Sequence, residues 1–354
     1  MIKILKTKEE LVEYKSVWDS IYNSDSNATP FQKFDFIFAS IDLTVTGSQQ
    51  LYVLLVKDDS INKWLAAFPL VIDKKGILHF INSAHSDFCS PIVCDEFNNY
   101  NLYDEVASFI KGEEKIKGLK LDNIGTSNQM LAVMKPHFKF MIAYDMNYYS
   151  SIPIYKLDSD KDSIDAFRYV KSKRHKKLRK SIKEVQNCKF VIARKSEGVP
   201  YPEADVQYLV NKMLSDGIRV KEYFSSAMLS FWKMLYESNV VCMAMLYEGN
   251  EIRTCNFMFY DEKRNEYIKW LMLYKEGRWN MIINIMIADY LYQNGGGNIN
   301  FARGIYDYKL ENFHPDVKPL FCLRIAKTPF GHIKNMCAAA IHYAKPIVKQ
   351  IIRR

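Results

Sequence analysis

The sequence has no C-x-x-C pair, no two histidines at a ligand spacing such as H-x-x-x-H, and no run near the ~20 apolar residues of a membrane span. Its cysteines, at 89, 94, 188, 242, 255, 322 and 337, are odd in number, and Cys242, Cys255 and Cys322 lie inside apolar strand-like runs, where cysteine behaves as a small hydrophobe. These absences argue against a zinc site and a disulfide framework, and predict reduced thiols in a cytoplasmic compartment with no bound metal. The opening MIKILKTKEELVEY has lysines at 3, 6 and 8, turns acidic at once, and lacks an apolar core of signal-peptide length. A soluble or at most peripheral protein is expected.

What is present is an ordinary globular composition. The chain has 354 residues, 48% hydrophobic and 25% charged, long enough for two domains. The aromatic share of 14% suits large β-containing cores and stacking surfaces alike. The net charge of +9 suits nucleic acid, a membrane surface or a phosphorylated small molecule, and equally a plain basic protein.

Periodicity predicts helices over residues 8–23 and 32–43, a hairpin of strands 51–56 and 63–72, a short strand 76–81, and the polar loop NSAHSDFCSP over 82–91. A helix over 100–111 and a buried strand 118–124 follow, so the first ~150 residues alternate helices and strands. The pattern restarts near 145–160. From Phe167 to Lys183 comes the most basic helix, carrying Arg168, Lys171, Lys173, Arg174, Lys176, Lys177, Arg179, Lys180 and Lys183. Strand 188–193, helices 201–214 and 225–237, and an antiparallel meander of strands 240–247, 252–260 and 266–274 come next. A strand 320–325 and an amphipathic helix 333–352, broken at Pro346, close the chain.

The stretch Glu266–Lys309 organises the rest. The apolar run EYIKWLMLY is broken by Lys275, Glu276, Gly277 and Arg278, and a buried helix starts at Trp279. A second short strand, Asn298–Ala302, is followed by Arg303, Gly304 and a polar, aromatic loop Ile305–Lys309. A strand that runs through a glycine turn into a helix presents unpaired backbone N–H groups and the positive end of the helix dipole, which favour an anion. The alternative for Gly277–Asn280 is a plain turn with glycine for geometry.

The order helices, meander, strand–turn–helix, closing strands resembles an acyltransferase of the GNAT type. The whole chain looks like the GNAT-like family related to the cellulose-biosynthesis CelD protein and, more distantly, like the FemAB aminoacyltransferases. The matching pieces are NATPFQKFDFIF (27–38), LAAFPL (65–70), Ser86-Asp87-Phe88, KRHKKLR (173–179), the segment before the helix at 217–224, and NINFARGIYDYK (298–309). They spread over roughly residues 17–325, and their order carries the likeness. The sequence departs from the usual GNAT phosphate loop, Q/R-x-x-G-x-G/A, in keeping only Gly277, within KEGRWN.

The resemblance implies an α+β fold of two tandem GNAT-like domains, each a mostly antiparallel sheet flanked by helices, over 1–156 and 157–330, with an amphipathic helix at 331–354. It implies pyrophosphate binding by Gly277, Arg278, Trp279 and Asn280, and a groove holding Lys309, Tyr308, Tyr306 and Arg303, against which stands a solvated loop with two half-buried tyrosines. Arg174 and Arg179 would contact phosphate on a nucleotide-linked or lipid-linked acceptor, or tRNA; a solvated basic helix is the plain alternative. Asp87 is the candidate base, with Glu222 and Asp307 as alternatives; Ser86 and His85 read as a capped turn. The C-terminal helix either packs on the second domain or lies on an anionic membrane surface. The expected activity is N-acyl transfer from acetyl-CoA or another acyl-CoA to an amine of an amino sugar or a cell-envelope or polysaccharide precursor. Aminoacyl transfer from tRNA, as in the FemAB branch, and a non-catalytic binding role are the alternatives.

Overall fold

The computed structural model describes residues 1–81, 83–97, 100–125, 130, 134–154, 176, 180, 183 and 187–352, with the backbone alone for Tyr100 and 345–352. The chain divides into two compact units, Met1–Tyr148 with Pro319–Arg354, and Tyr149–Lys318. Each is built of mostly antiparallel strands flanked by helices, so the α+β, two-domain GNAT-like architecture expected from the sequence is what the chain adopts.

In the first unit, strand β1 (Ile2–Leu5) leads into helices α1 (Lys8–Glu13) and α2 (Lys15–Ser24). The predicted single helix over 8–23 is thus cut at Tyr14, and Thr7 with Glu10 forms a capping box at its start. A 3₁₀ turn, Pro30–Gln32, opens α3 (Phe34–Thr44). The expected hairpin is present but broken in both arms. Tyr52 separates β2 (Gln49–Leu51) from β3 (Val53–Asp58), and Pro69 separates β4 (Lys63–Phe68) from β5 (Leu70–Asp73). A proline offers no N–H to a ladder, and at this break the pairing changes: β3 and β4 join β1 and β7 (Ile92–Val93), whereas β2 and β5 join β6 (Ile77–Phe80). Helix α4 (Tyr100–Gly112) precedes β8 (Gly118–Gly125), which runs parallel to β6. Leu54, Phe68, Tyr103, Val106, Leu121 and Leu323 are among the residues of the buried core.

Strand β9 (Met141–Ile154) enters the second unit. There β10 (Cys188–Ala193), helices α5 (Glu203–Ser215) and α6 (Ser226–Glu237), and the meander β11 (Cys242–Glu248), β12 (Glu251–Asp261) and β13 (Glu266–Tyr274) follow as expected. Helix α7 (Gly277–Gln293) crosses over to β14 (Gly297–Arg303), which lies parallel to β13 and antiparallel to the end of β9. The core under α7 contains Ile283, Ile287, Leu291, Ile299 and Phe313. A short helix, α8 (Asp307–Phe313), then precedes β15 (Asp316–Ala326) and the C-terminal helix α9 (Pro329–Ile352).

Residues 320–326 pair with β8, so the chain closes by returning to the first unit rather than ending the second, as a cut at 156/157 and 330/331 would have it. Arg324 anchors this return, bonding Leu121 O at 3.2 Å and the Asp122 carboxylate. Helix α9 begins at Pro329 and runs on through Pro346; the predicted break there is not one.

Candidate active site

The second unit is built around the crossover β13–α7–β14. The parallel pair is short: Glu266, Tyr267 and Ile268 sit opposite Asn298, Ile299 and Asn300, and no pairing is made beyond that rung. From Lys269 onward β13 and β14 have parted. Ligands in α/β crossovers sit where parallel strands end and a helix begins. A bulge in β13 assists, because Phe257 pairs with Leu271 and Met258 with Lys269, leaving Trp270 as the extra residue. The bulge puts Lys269 and Met272 on one face, with Lys269 Nζ 3.6 Å from Met272 Sδ.

Lys269 is 4% exposed and Lys309 3%. Lys269 Nζ donates to Asn284 Oδ1 on α7. Burial, and then the charge of Lys309, push its amine well below the ordinary lysine value. Around it lie amide atoms that meet no protein partner: both ends of Asn256, Asn280 Oδ1 and Asn284 Nδ2. Asn280 and Asn284 are one turn apart on α7, and Asn256 sits opposite Met272 across the sheet. Buried amides are nearly always paired, so this cluster is under-satisfied by protein alone. Lys269 and Asn284 escaped the sequence reading. The signal was a lysine in the middle of EYIKWLMLY and an asparagine inside the buried run IINIMIADY.

The polar loop expected at Ile305–Lys309 is in fact a kink and the first turn of α8. Ala302 has φ +56° and Gly304 φ +99°. At Gly304 a Cβ would stand 2.7 Å from the Tyr306 ring, so only glycine fits. Lys309 is not a surface cation on a solvated loop. Its Nζ donates to Phe301 O at 2.6 Å and Gly304 O at 3.0 Å, tying the kink to the helix that follows. The glycine–tyrosine–lysine spacing therefore has a physical cause: the glycine makes the turn, the tyrosine covers it, and the lysine holds its carbonyls. Asn300 adds a second tie, accepting from Ala302 N–H at 2.8 Å and donating to Glu266 Oε2 at 3.1 Å. Burial raises the Glu266 carboxyl above its usual value, partly offset by that Asn300 bond.

Tyr308 is brought to the start of α7. Burial pushes its phenol up to about 12, eased by a hydrogen bond from Asn280. Tyr306, half exposed, stacks on Tyr308 with centroids 6.1 Å apart. Arg303 is the last residue of β14, opposite Tyr149. Asn280, Tyr308, Tyr306 and Lys309, chosen separately from sequence, thus meet at one place. Glu222 lies in a short 3₁₀ turn after α5 and Asp307 at the first residue of α8.

At the helix start the expected cofactor contacts divide. Gly277 and Arg278 are exposed. Gly277 has no left-handed φ, and the space a Cβ would occupy is open to 4 Å, so neither backbone conformation nor crowding calls for glycine. No side chain caps the helix. Trp279, by contrast, is buried against Leu246 and Ile282. The nearby cations have carboxylate partners: Arg278 with Glu276 at 3.1 Å, Arg253 with Glu248 and Glu251, Lys275 with Glu251. An exposed pair such as Arg278–Glu276 is worth only ~0–1 kcal/mol, and a phosphate can displace it.

Asp87 belongs to the first unit and is buried. Its loop is pinned from two sides. Gln32 Nε2 donates to Phe88 O at 2.8 Å, and Asn123 Nδ2 donates to Ser86 O at 2.9 Å and Ser83 O at 3.0 Å. The Thr29-Pro30-Phe31-Gln32 motif is the clamp: Thr29 and Gln32 form a capping box, and Gln32 O accepts from the Trp18 indole at 2.9 Å. Of the basic run, Lys176, Lys180 and Lys183 are described, all exposed; Arg174 and Arg179 lie outside the described residues, as does the expected boundary at 156/157. Among the described residues no group of three or more His, Cys, Asp or Glu is arranged to hold a metal.

No family profile and no curated protein matches the chain. Solved structures do match along nearly its whole length. FemX is similar at 11% identity over 94% of this chain and 99% of its own, with a TM-score of 0.60. The C-terminal domain of a protein assigned as a lysylphosphatidylglycerol synthetase from Agrobacterium fabrum is similar at 13% identity, 95% and 97% coverage and TM-score 0.59. L-PGS from Bacillus licheniformis is similar at 12% identity, 90% and 94% coverage and TM-score 0.55. At these identities the fold is what is shared, and the chain has the fold of these proteins.

Proposed function

We propose that this protein is an N-acyltransferase whose second unit takes an acyl group from acetyl-CoA or another acyl-CoA and passes it to an amine, carried by an amino sugar or a cell-envelope or polysaccharide precursor. One observation carries this reading: β13 and β14 part after three paired rungs, directly beside the uncapped start of α7 and the Asn280–Tyr308 contact. The residues fit an anionic donor in one respect and resist it in another. Gly277 leaves its backbone open to close approach, whereas the surrounding cations are already paired, so binding would rest on backbone N–H groups with Arg278 released from Glu276.

The reaction joins the amine nitrogen to the acyl carbon and breaks the bond to sulphur. The amine loses a proton and the thiolate gains one. Asp307, next to Tyr308 at the first residue of α8, is the candidate to receive the first proton. Tyr308, which stays protonated at neutral pH, is suited to supply the second. Lys309 serves as a positioning residue for Tyr306 and Tyr308, since its ammonium is committed to backbone carbonyls. A thermal shift tests the donor: acetyl-CoA at a hundred times its dissociation constant stabilises the fold by about 2.7 kcal/mol.

A second reading is aminoacyl transfer from tRNA. It is favoured by the likeness, along nearly the whole of this chain, to the C-terminal domain of a protein whose name states the synthesis of lysylphosphatidylglycerol, and by a turn with a single glycine in place of a phosphate loop. Salt-sensitive binding of tRNA, with no shift from any acyl-CoA, would select it.

A further inference from the structure

Helix α9 is amphipathic in the inverted sense. The side chains facing its own unit are small, polar or aromatic-polar. The His332 ring is 5.5 Å from that of Phe140 and the His342 ring 5.7 Å from that of Tyr144, and the Tyr343 hydroxyl donates to the Asp145 carboxylate. Gly331 keeps the first turn close to Ala326, 3.0 Å from where its Cβ would be. The apolar side chains point the other way. Phe330 is 66% exposed, Ile333 56%, Met336 53% and Ile341 57%. Phe330, Ile333, Cys337 and Ile341, at spacings of three and four, form one stripe, and Cys337 is exposed too. A surface helix ordinarily turns such a stripe inward, and a contiguous apolar surface left outside marks an interaction site.

Charge identifies the partner. Residues 317–354 contain no Asp or Glu, but carry Lys318, Arg324, Lys327, Lys334, Lys345, Lys349, Arg353 and Arg354. Lys334 flanks the stripe, its Nζ 4.4 Å from the Phe330 ring centroid. Two copies meeting by this face would bring cations against cations with no carboxylate between them. An anionic lipid surface supplies both requirements, hydrocarbon for the stripe and negative charge for its flanks. No helix of the described residues is long and apolar enough to cross a bilayer. We infer that α9 is a membrane-surface helix that docks the first unit on an anionic bilayer, lying in its interface.

The test is co-sedimentation of the full chain with phosphatidylcholine vesicles, with and without phosphatidylglycerol, at low and high salt. Binding is expected to the anionic vesicles only and to weaken with salt. The double variant Ile333→Ser/Ile341→Ser should bind about tenfold or more weakly, and Lys334→Glu should bind less tightly as well. Both sites are exposed, so the melting temperature should not move, and circular dichroism checks this. Equal binding to neutral vesicles, no vesicle binding, or a double variant that binds like the parent overturns the inference. So does a dimer in lipid-free sedimentation that the double variant abolishes, which would assign the face to a second copy.

Discussion

The loop that carries Asp87 and the kink that carries Lys309 are built by opposite rules. In the first unit, the Ser86-Asp87-Phe88 loop is satisfied: Gln32 and Asn123 hold its carbonyls, and Asn123 is itself held by Asn147 at 3.0 Å. In the second unit, the kink after β14 places a non-glycine residue, Ala302, in the left-handed region. Beneath the adjoining helix two lysines are buried and the amides of Asn256, Asn280 and Asn284 are incompletely paired. Strain of this kind costs of order 1–3 kcal/mol per residue and persists where surroundings enforce it, commonly at functional sites. On the proposed function, this contrast favours the second unit for the chemistry and a mainly structural task for the loop of the first.

The largest effect should come from the proton acceptor. Asp307→Asn is expected to lower kcat/KM by about 10²–10⁴, whereas Asp87→Asn should leave the rate per folded molecule unchanged. If instead Asp87→Asn carries the loss, the contrast between the two regions is reversed and Asp87 is the base.

Next is Lys309→Met. It strips a donor from two buried carbonyls, those of Phe301 and Gly304, and should cost about 2–4 kcal/mol in denaturant unfolding. A positioning role predicts a fall in kcat as the tyrosines lose their setting, with the pH profile unshifted. A shifted profile would make Lys309 a titrating participant.

Lys269→Met tests the buried amine. A lysine whose folded pKa lies below its unfolded value of about 10.4 binds fewer protons in the native state, so between those two values stability rises with pH. The substitution should stabilise the protein by of order 1–3 kcal/mol near neutral pH and remove that slope, the gain shrinking as pH approaches the unfolded value. Chemical unfolding across this range reads the effect directly. A destabilised variant at every pH would mean that the Asn284 contact outweighs the cost of burying the amine.

In the first unit, Gln32→Ala should lose about 1–2 kcal/mol through the Phe88 carbonyl and the cap at Thr29, with the rate per folded molecule unchanged. A rate loss larger than the stability loss would bring the loop back into the chemistry.

What was legible in the sequence follows the range of the forces involved. Strand β13 has the bounds read from EYIKWLMLY, because alternation and flanking turns are local. Helix α8 was missed since DYKLENF offers a polar surface and only two large apolar residues, and its helicity depends on Lys309 reaching back to the kink. The motif Thr29–Gln32 was visible, but its task was not, because the carbonyl it holds is that of Phe88. The pairing of residues 320–326 with β8 joins segments about two hundred residues apart, and no local pattern encodes it. Lys269 stood in plain view, but a strand pattern says which face a residue takes and not what stands opposite.

The smallest effect is the most discriminating for the donor. Gly277→Ala introduces a methyl group into open space at a position without a left-handed φ. By reducing the freedom of the unfolded chain it should leave stability unchanged or raise it by up to about 1 kcal/mol. A glycine with no conformational task can still be required for a ligand to approach the backbone. The alanine variant should therefore bind acetyl-CoA more weakly by a small factor, and Gly277→Asp far more weakly, because it adds a carboxylate where the anion would lie. Isothermal titration of both variants reads this. Equal affinity in all three proteins would remove the helix start from the donor site and leave the aminoacyl-tRNA reading, which does not call on a pyrophosphate at Gly277.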